Sequence, residues 1–146
     1  MNIDDGYTII VQWGDCDPAR IVFYPNYFKW FDEAGWALLA RLFPDRRVLL
    51  ERHGIVGFPI AEAQARFLRP SAQYQTITFK STVESWQEKR FTLFHQGCRD
   101  GELLLEGREV RFVGRLHPQA PRRLQAVEIP PEMVEAFRSL QAQSSK

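Results

Sequence analysis

The stretch NYFKWFDEAGWALLARLF, residues 26–43, decides the fold. Its apolar residues recur at helical spacing, with Phe28, Gly35, Trp36 and Leu39 along one face. Asn26 is a suitable N-cap, Lys29 and Glu33 form an i,i+4 pair, and Pro44 with Asp45 stops the helix. A second short helix is expected over Arg46–His53, ending at Gly54. No other long apolar helix competes with the first one for the core.

Outward from this helix the pattern changes period. Before it, YTIIVQW (7–13) alternates as a strand, with Tyr7, Ile9, Val11 and Trp13 on one face. After it, PIAEAQARF (59–67) sets Ala61, Ala63, Ala65 and Phe67 against Glu62, Gln64 and Arg66, small residues that would let a helix pack close. YQTITFKSTVESW (74–86) and RFTLFHQGC (90–98) are rich in β-formers and are joined by the turn-like QEK. Asp100-Gly101 is a hairpin signal leading into ELLLEGREVRFV (102–113), where Gly107 marks a candidate bulge. GRLHPQAPRRLQA (114–126) has loop composition. PPEMVEAFRSLQ (130–141) is expected as a terminal helix with Pro at its start, before a frayed AQSSK tail. Consecutive strands favour an antiparallel sheet, so the class is α+β, five strands curled around one long helix in a single domain over residues 1–146. One helix leaves much of such a sheet uncovered, which predicts a homo-oligomer, a dimer or a tetramer.

Bulk properties exclude several classes. The chain has 146 residues, 45% hydrophobic and 25% charged, with a net charge of +1, so no overall field points to nucleic acid or an anionic membrane. No apolar run approaches the roughly 20 residues that span a bilayer. The start, MNIDDGYTII, lacks a basic region followed by an apolar run, so no secretory signal is expected and the cytoplasm is the default address. Cys16 and Cys98 have no paired spacing, and His53, His95 and His117 have no metal-ligand spacing, so neither disulfide nor metal is expected.

Immediately before the helix stands GDCDPARIVFYP (14–25). Two acids around a cysteine, a proline and a pair of aromatics exceed what a turn requires. With the start of the helix, GDCDPARIVFYPNYFKWFDEA resembles the opening motif of the hotdog-fold acyl-CoA thioesterases, most closely the 4-hydroxybenzoyl-CoA branch. The resemblance extends through ERHGIVGFPI (51–60), PSAQY (70–74), ESW (84–86) and RLQAVEIP (123–130), nearly the whole chain. It implies thioester hydrolysis with Asp17 attacking the carbonyl or activating water, and with a backbone amide at the helix start, near Tyr24, polarising that carbonyl. An N–H at a helix N-terminus meets a developing oxyanion, and one such donor is worth about 2.7–4 kcal/mol. No cofactor is implied beyond the coenzyme A of the acyl-CoA substrate.

The same resemblance suggests substrate-binding residues. Asp32 lies on the helix between Phe28 and Trp36; it either accepts a hydrogen bond from a hydroxyl of an aromatic acyl group or makes a structural bond to a loop. Lys89, Arg90 and Arg123 are candidates for the coenzyme A phosphates, although Gln87, Glu88 and Gln125 replace basic residues of the branch. Arg20 replaces the branch's glycine. Asp17 on its own could be a turn-capping acid, as D-P pairs favour turns. Asp15 is expected to support the loop, and Cys16 to be an apolar packing residue rather than a nucleophile. Alternatives are a short-chain aliphatic acyl-CoA thioesterase and a non-catalytic acyl-CoA-binding protein of the same fold. A dehydratase would want a histidine at the helix, and the first histidine is His53.

Overall fold

A computed structural model describes residues 6–144. The elements are β1 (Tyr7–Ile10), α1 (Pro25–Leu42), α2 (Arg46–His53), β2 (Ile60–Phe67), β3 (Thr76–Gln87), β4 (Arg90–Arg99), β5 (Glu102–His117), β6 (Ala120–Val127) and α3 (Pro131–Ser144). The first five strands form an antiparallel sheet in the order β1-β3-β4-β5-β2, with α1 packed across it. Position 145 onward, the end of the tail read as frayed, lies outside the described residues. No helix among the described residues is long and apolar enough to cross a membrane.

β6 corrects the reading of 114–126 as a loop. β5 runs on to His117, and the chain turns back so that Val113–Leu116 pair with Leu124–Val127. Gly114 is paired with Gly57 on one side and Ala126 on the other, so β6 takes up the edge of β5 that β4 has left. Loop-like composition is overridden here by a ready-made row of backbone donors and acceptors. At the other end of β5, Asp100 and Gly101 both carry positive φ, 51° and 79°, the mark of a type I′ hairpin.

The long helix starts one residue before its expected cap. Pro25 occupies the first helical turn, where its missing N–H costs nothing, and Tyr24 is the N-cap residue. The buried face is Tyr27, Trp30, Phe31, Ala34, Gly35, Leu38 and Leu39, while Phe28 and Trp36 lie half-buried on its flank. Glu33 accepts from the Tyr7 hydroxyl at 2.7 Å and is not paired with Lys29. That hydrogen bond, with burial and the carboxylate charge behind it, raises the Tyr7 pKa.

Gly107 pairs in regular register with His95 and Ala65, so it is no bulge. A Cβ there would run into the Phe31 ring, so the helix makes its close approach over β5 and not over the alanine face of β2, where it was expected. β2 itself is exposed along nearly its whole length, with only Ala65 packed beneath the helix. Two apolar clusters sit at the ends of α1, one around Phe31, Ile77 and Phe79 and the other around Leu38, Phe91 and Phe137.

Candidate active site

The segment before α1 is a tight hairpin. Asp15 is joined to Phe23 (Phe23 N–H to Asp15 O, 2.8 Å), Cys16 bridges Val22, and the Asp17 N–H donates to Ile21 O at 2.9 Å. At its tip the Arg20 N–H closes on Asp17 O, and Oδ1 of Asp17 accepts from the Ala19 N–H, both at 2.8 Å. Asp17 is therefore a turn-capping acid with one carboxylate oxygen engaged; the second has no partner among the described residues. It opens on a cleft of about 770 Å³ whose walls include Trp13, Cys16, Arg20 and Gln73. Arg20 sits at φ 67°, a left-handed conformation that glycine adopts freely, which accounts for glycine at this position in the resembling branch.

Asp15 acts as expected, its Oδ2 accepting from the Gln12 N–H at 2.8 Å. The Asp15 carbonyl also receives Asn26 Nδ2 at 2.9 Å, so Asn26 fastens the Asp17 hairpin to the first turn of α1 rather than capping the helix. A second brace runs beneath. Arg99 donates to Ser71 Oγ at 3.1 Å and to Gln75 Oε1 at 2.7 Å, and Ser71 O accepts from the Val22 N–H. Burial raises the Tyr27 pKa, against the lowering effect of its hydrogen bond to Ser71, so its hydroxyl is a neutral member of this brace.

Tyr24, 59% exposed, lies where the hairpin enters the helix. Its own N–H has no acceptor among the described residues, whereas the Asn26 and Tyr27 N–H groups donate back to Phe23 and Tyr24. It is a free donor at the positive end of an 18-residue helix. Around it the rings of Tyr24, Phe28 and Phe67 form an apolar rim, with Phe67 contributed by the end of β2. Tyr24 does not line the Asp17 cleft; the hairpin register joins the two.

Asp32 is eight residues further along α1, about 12 Å by helical rise. It finds neither a loop amide nor solvent alone. Its Oδ1 accepts from Arg111 Nη2 at 2.7 Å, and that guanidinium is 2% exposed while the Asp32 side chain is 47% exposed. Arg111 also donates to both oxygens of Glu109, at 3.2 and 3.1 Å, and through Nη1 to Phe58 O at 2.9 Å. Glu109 in turn meets His95 Nε2 at 2.8 Å, and His95 Nδ1 meets Ser81 Oγ at 2.7 Å. His95 stacks on Phe31 with centroids 5.1 Å apart.

This line of polar residues lies beneath Gly35, where a Cβ would come within 3.3 Å of Glu109 Oε1. Sequence motifs alone do not reveal it, and His95 carries no metal-ligand spacing to draw attention. The signal is present in β5: Glu109 and Arg111 occupy the same alternating face as Leu105 and Val113, two opposite charges on an apolar face.

The proposed phosphate ligands lie elsewhere. Lys89 and Arg90 stand at the β3–β4 turn, and β6, which carries Arg123, ends beside that turn, with the Ile129 N–H donating to Glu88 O. Arg99, bracing the Asp17 hairpin, is at the opposite end of β4 from Arg90, and ten residues of strand span about 30 Å. One chain thus holds Asp17 and these cations at opposite ends of its sheet. No cluster of three or more metal-ligating side chains occurs among the described residues.

The chain belongs to the thioesterase-like superfamily, whose model matches residues 11–137, and with its curled sheet around one long helix it is a hotdog-type thioester hydrolase. Within it, the chain is 33% identical over 132 residues to 4-hydroxybenzoyl-CoA thioesterase of Pseudomonas sp. (strain CBS-3), covering 86% of this chain and 91% of that protein. The crystal structure of an aspartate-to-asparagine mutant of 4-hydroxybenzoyl-CoA thioesterase, complexed with 4-hydroxybenzoyl-CoA, matches with a TM-score of 0.80 at 29% identity, over 90% of this chain and 96% of that one. A gentisyl-coenzyme A thioesterase matches with a TM-score of 0.73 at 34% identity, over 90% and 98%.

Proposed function

We propose that this thioester hydrolase cleaves aromatic acyl-CoA, with a 4-hydroxybenzoyl- or benzoyl-like acyl group. Asp17 supplies the carboxylate that attacks the carbonyl carbon or activates the attacking water, and the Tyr24 N–H receives the carbonyl oxygen. The observation that carries this reading is the unpartnered Tyr24 N–H at the helix start to which the Asp17 hairpin is fastened. Negative charge developing on the thioester oxygen meets a preorganised donor there. The half-buried Phe28 and Trp36 offer flat apolar surface beside Asp32, whose unengaged oxygen accepts an aryl hydroxyl. The relatives are thioesterases of hydroxylated aryl-CoAs, which supports the aromatic class.

Lys89, Arg90 and Arg123 are assigned to the phosphates of coenzyme A. Their distance from Asp17 within one chain favours a site completed by a second copy, and the exposed β2 supplies surface for one, so a homo-oligomer, dimer or tetramer, is part of the proposal. The free thiols of Cys16 and Cys98 suit a reducing cytoplasm.

Thiol release by purified protein from benzoyl-, 4-hydroxybenzoyl- and straight-chain acyl-CoAs tests the whole reading. Faster turnover of the aryl thioesters is expected. Preference for aliphatic chains overturns the acyl assignment, and no release from any thioester would point to a binding protein.

A further inference from the structure

The line Ser81–His95–Glu109–Arg111–Asp32 begins on β3, crosses β4 and β5, and ends on α1 at a half-exposed carboxylate. A pair serving the core alone would close on itself, each oxygen of Glu109 taking one prong of the guanidinium. The contacts are distributed otherwise. Glu109 holds Arg111 by longer bonds, 3.2 and 3.1 Å to a single nitrogen, and the shortest bond of the guanidinium, 2.7 Å, points outward to Asp32.

An exposed ion pair usually holds loosely because water substitutes for either partner. Here His95, Glu109 and Arg111 are 0%, 1% and 2% exposed, so Arg111 has no water to turn to and its grip on Asp32 Oδ1 is retained. His95 fixes the other end: Glu109 is an acceptor, so Nε2 carries the proton towards it, and Nδ1 faces the Ser81 hydroxyl. With Oδ1 occupied, Oδ2 of Asp32 has no partner among the described residues.

We propose that Arg111, held by Glu109 and the Phe58 carbonyl, is a positioning residue for substrate selection: it fixes the Asp32 carboxylate so that its free oxygen faces the hydroxyl of an aryl acyl group. This rests on the reading of Asp32 as the hydroxyl acceptor. Discrimination between hydroxylated and plain aryl thioesters is then set by a cation buried under the helix, which itself never touches substrate.

The measurement is the ratio of kcat/KM for 4-hydroxybenzoyl-CoA over benzoyl-CoA, a quantity that general loss of stability moves equally in both terms. A wild-type ratio of about 10–100 is expected for one hydrogen bond to a charged acceptor. Glu109→Gln/Arg111→Met removes both buried charges together and leaves the new side-chain amide to accept from His95, so no lone charge remains to unfold the core. Arg111→Lys keeps the cation and loses its fork. Both variants should lower the ratio, the double variant to within about twofold of unity. Arg108→Met, which removes an exposed guanidinium from the same strand, should keep it. A folded double variant with the wild-type ratio, alongside an Asp32→Ala protein that has lost it, overturns the role of Arg111 and leaves Asp32 as the acceptor. An Asp32→Ala protein that keeps the ratio overturns both.

Discussion

Replacing Asp17 by asparagine separates chemistry from architecture at the one position where the two overlap. Oδ1 of Asp17 caps the Ala19 N–H, and the amide oxygen of asparagine can make the same bond. What changes is the acceptor's charge. Hydrogen bonds to charged groups contribute about 1.5–3 kcal/mol against about 0.5–1.5 for neutral ones, and the half-exposed site discounts the difference to about 1 kcal/mol or less. Asp17→Asn should therefore melt within about 4 °C of wild type.

Turnover should behave quite differently. An amide neither attacks a thioester nor accepts a proton from water, and loss of such a group costs about 10²–10⁴-fold. Asp17→Ala loses the cap as well, so it should match asparagine in lost activity while falling further in Tm. Thiol-release kinetics at saturating acyl-CoA, beside calorimetry of the same preparations, read both effects. A well-folded Asp17→Asn protein with wild-type kcat would refute the assignment, leaving Asp17 as the turn acid that its hydrogen bond to Ala19 also describes.

Gly107→Ala should destabilise the protein by about 1–3 kcal/mol, as expected for overpacking, because the new methyl meets the Phe31 ring; an unchanged denaturation midpoint would contradict that packing. Asn26→Ala removes the bond to the Asp15 carbonyl and should cost about 0.5–1.5 kcal/mol together with a fall in kcat; loss of stability without any change in kcat would disconnect this fastening from the site. The Tyr7 pKa is raised above 10.0 in the folded state, so the folded protein binds more protons than the unfolded one above that pH. The stability it contributes is complete below pH 10 and lost above, and chemical denaturation of Tyr7→Phe should show a shallower alkaline decline than wild type. Equal slopes would remove Glu33 as the cause.

Much of this architecture is legible in local chemistry. Arg46–His53 ending at a left-handed Gly54, and the Asp100-Gly101 hairpin, follow from residues that dictate their own backbone. β6 is invisible for the opposite reason: Pro118, Pro121 and the Arg122-Arg123 pair that follows carry no strand preference, and only the vacant edge of β5 makes a strand of this stretch. The cap of α1 falls two residues before its expected place because Asn26 has a good cap's side chain but spends it on Asp15. Asp17 and Tyr24 are recognisable from a motif, and the spacing of that motif is the hairpin register. Arg111 and Glu109 require attention to the face of a strand, since a charge is usually read as surface.

The placement of those charges also bears on how β5 finds its partners. A shift of one residue in register would turn Glu109 and Arg111 to the outer face and bring Arg108 and Val110 inward, breaking every bond of the buried line. A shift of two restores the face but carries Leu105 or Glu109 under Phe31, where only glycine leaves room. Alternation alone cannot distinguish neighbouring even registers in so long a strand. Gly107 and the pair that follows it do so, and a sixteen-residue strand that could slide is left with one place to stop.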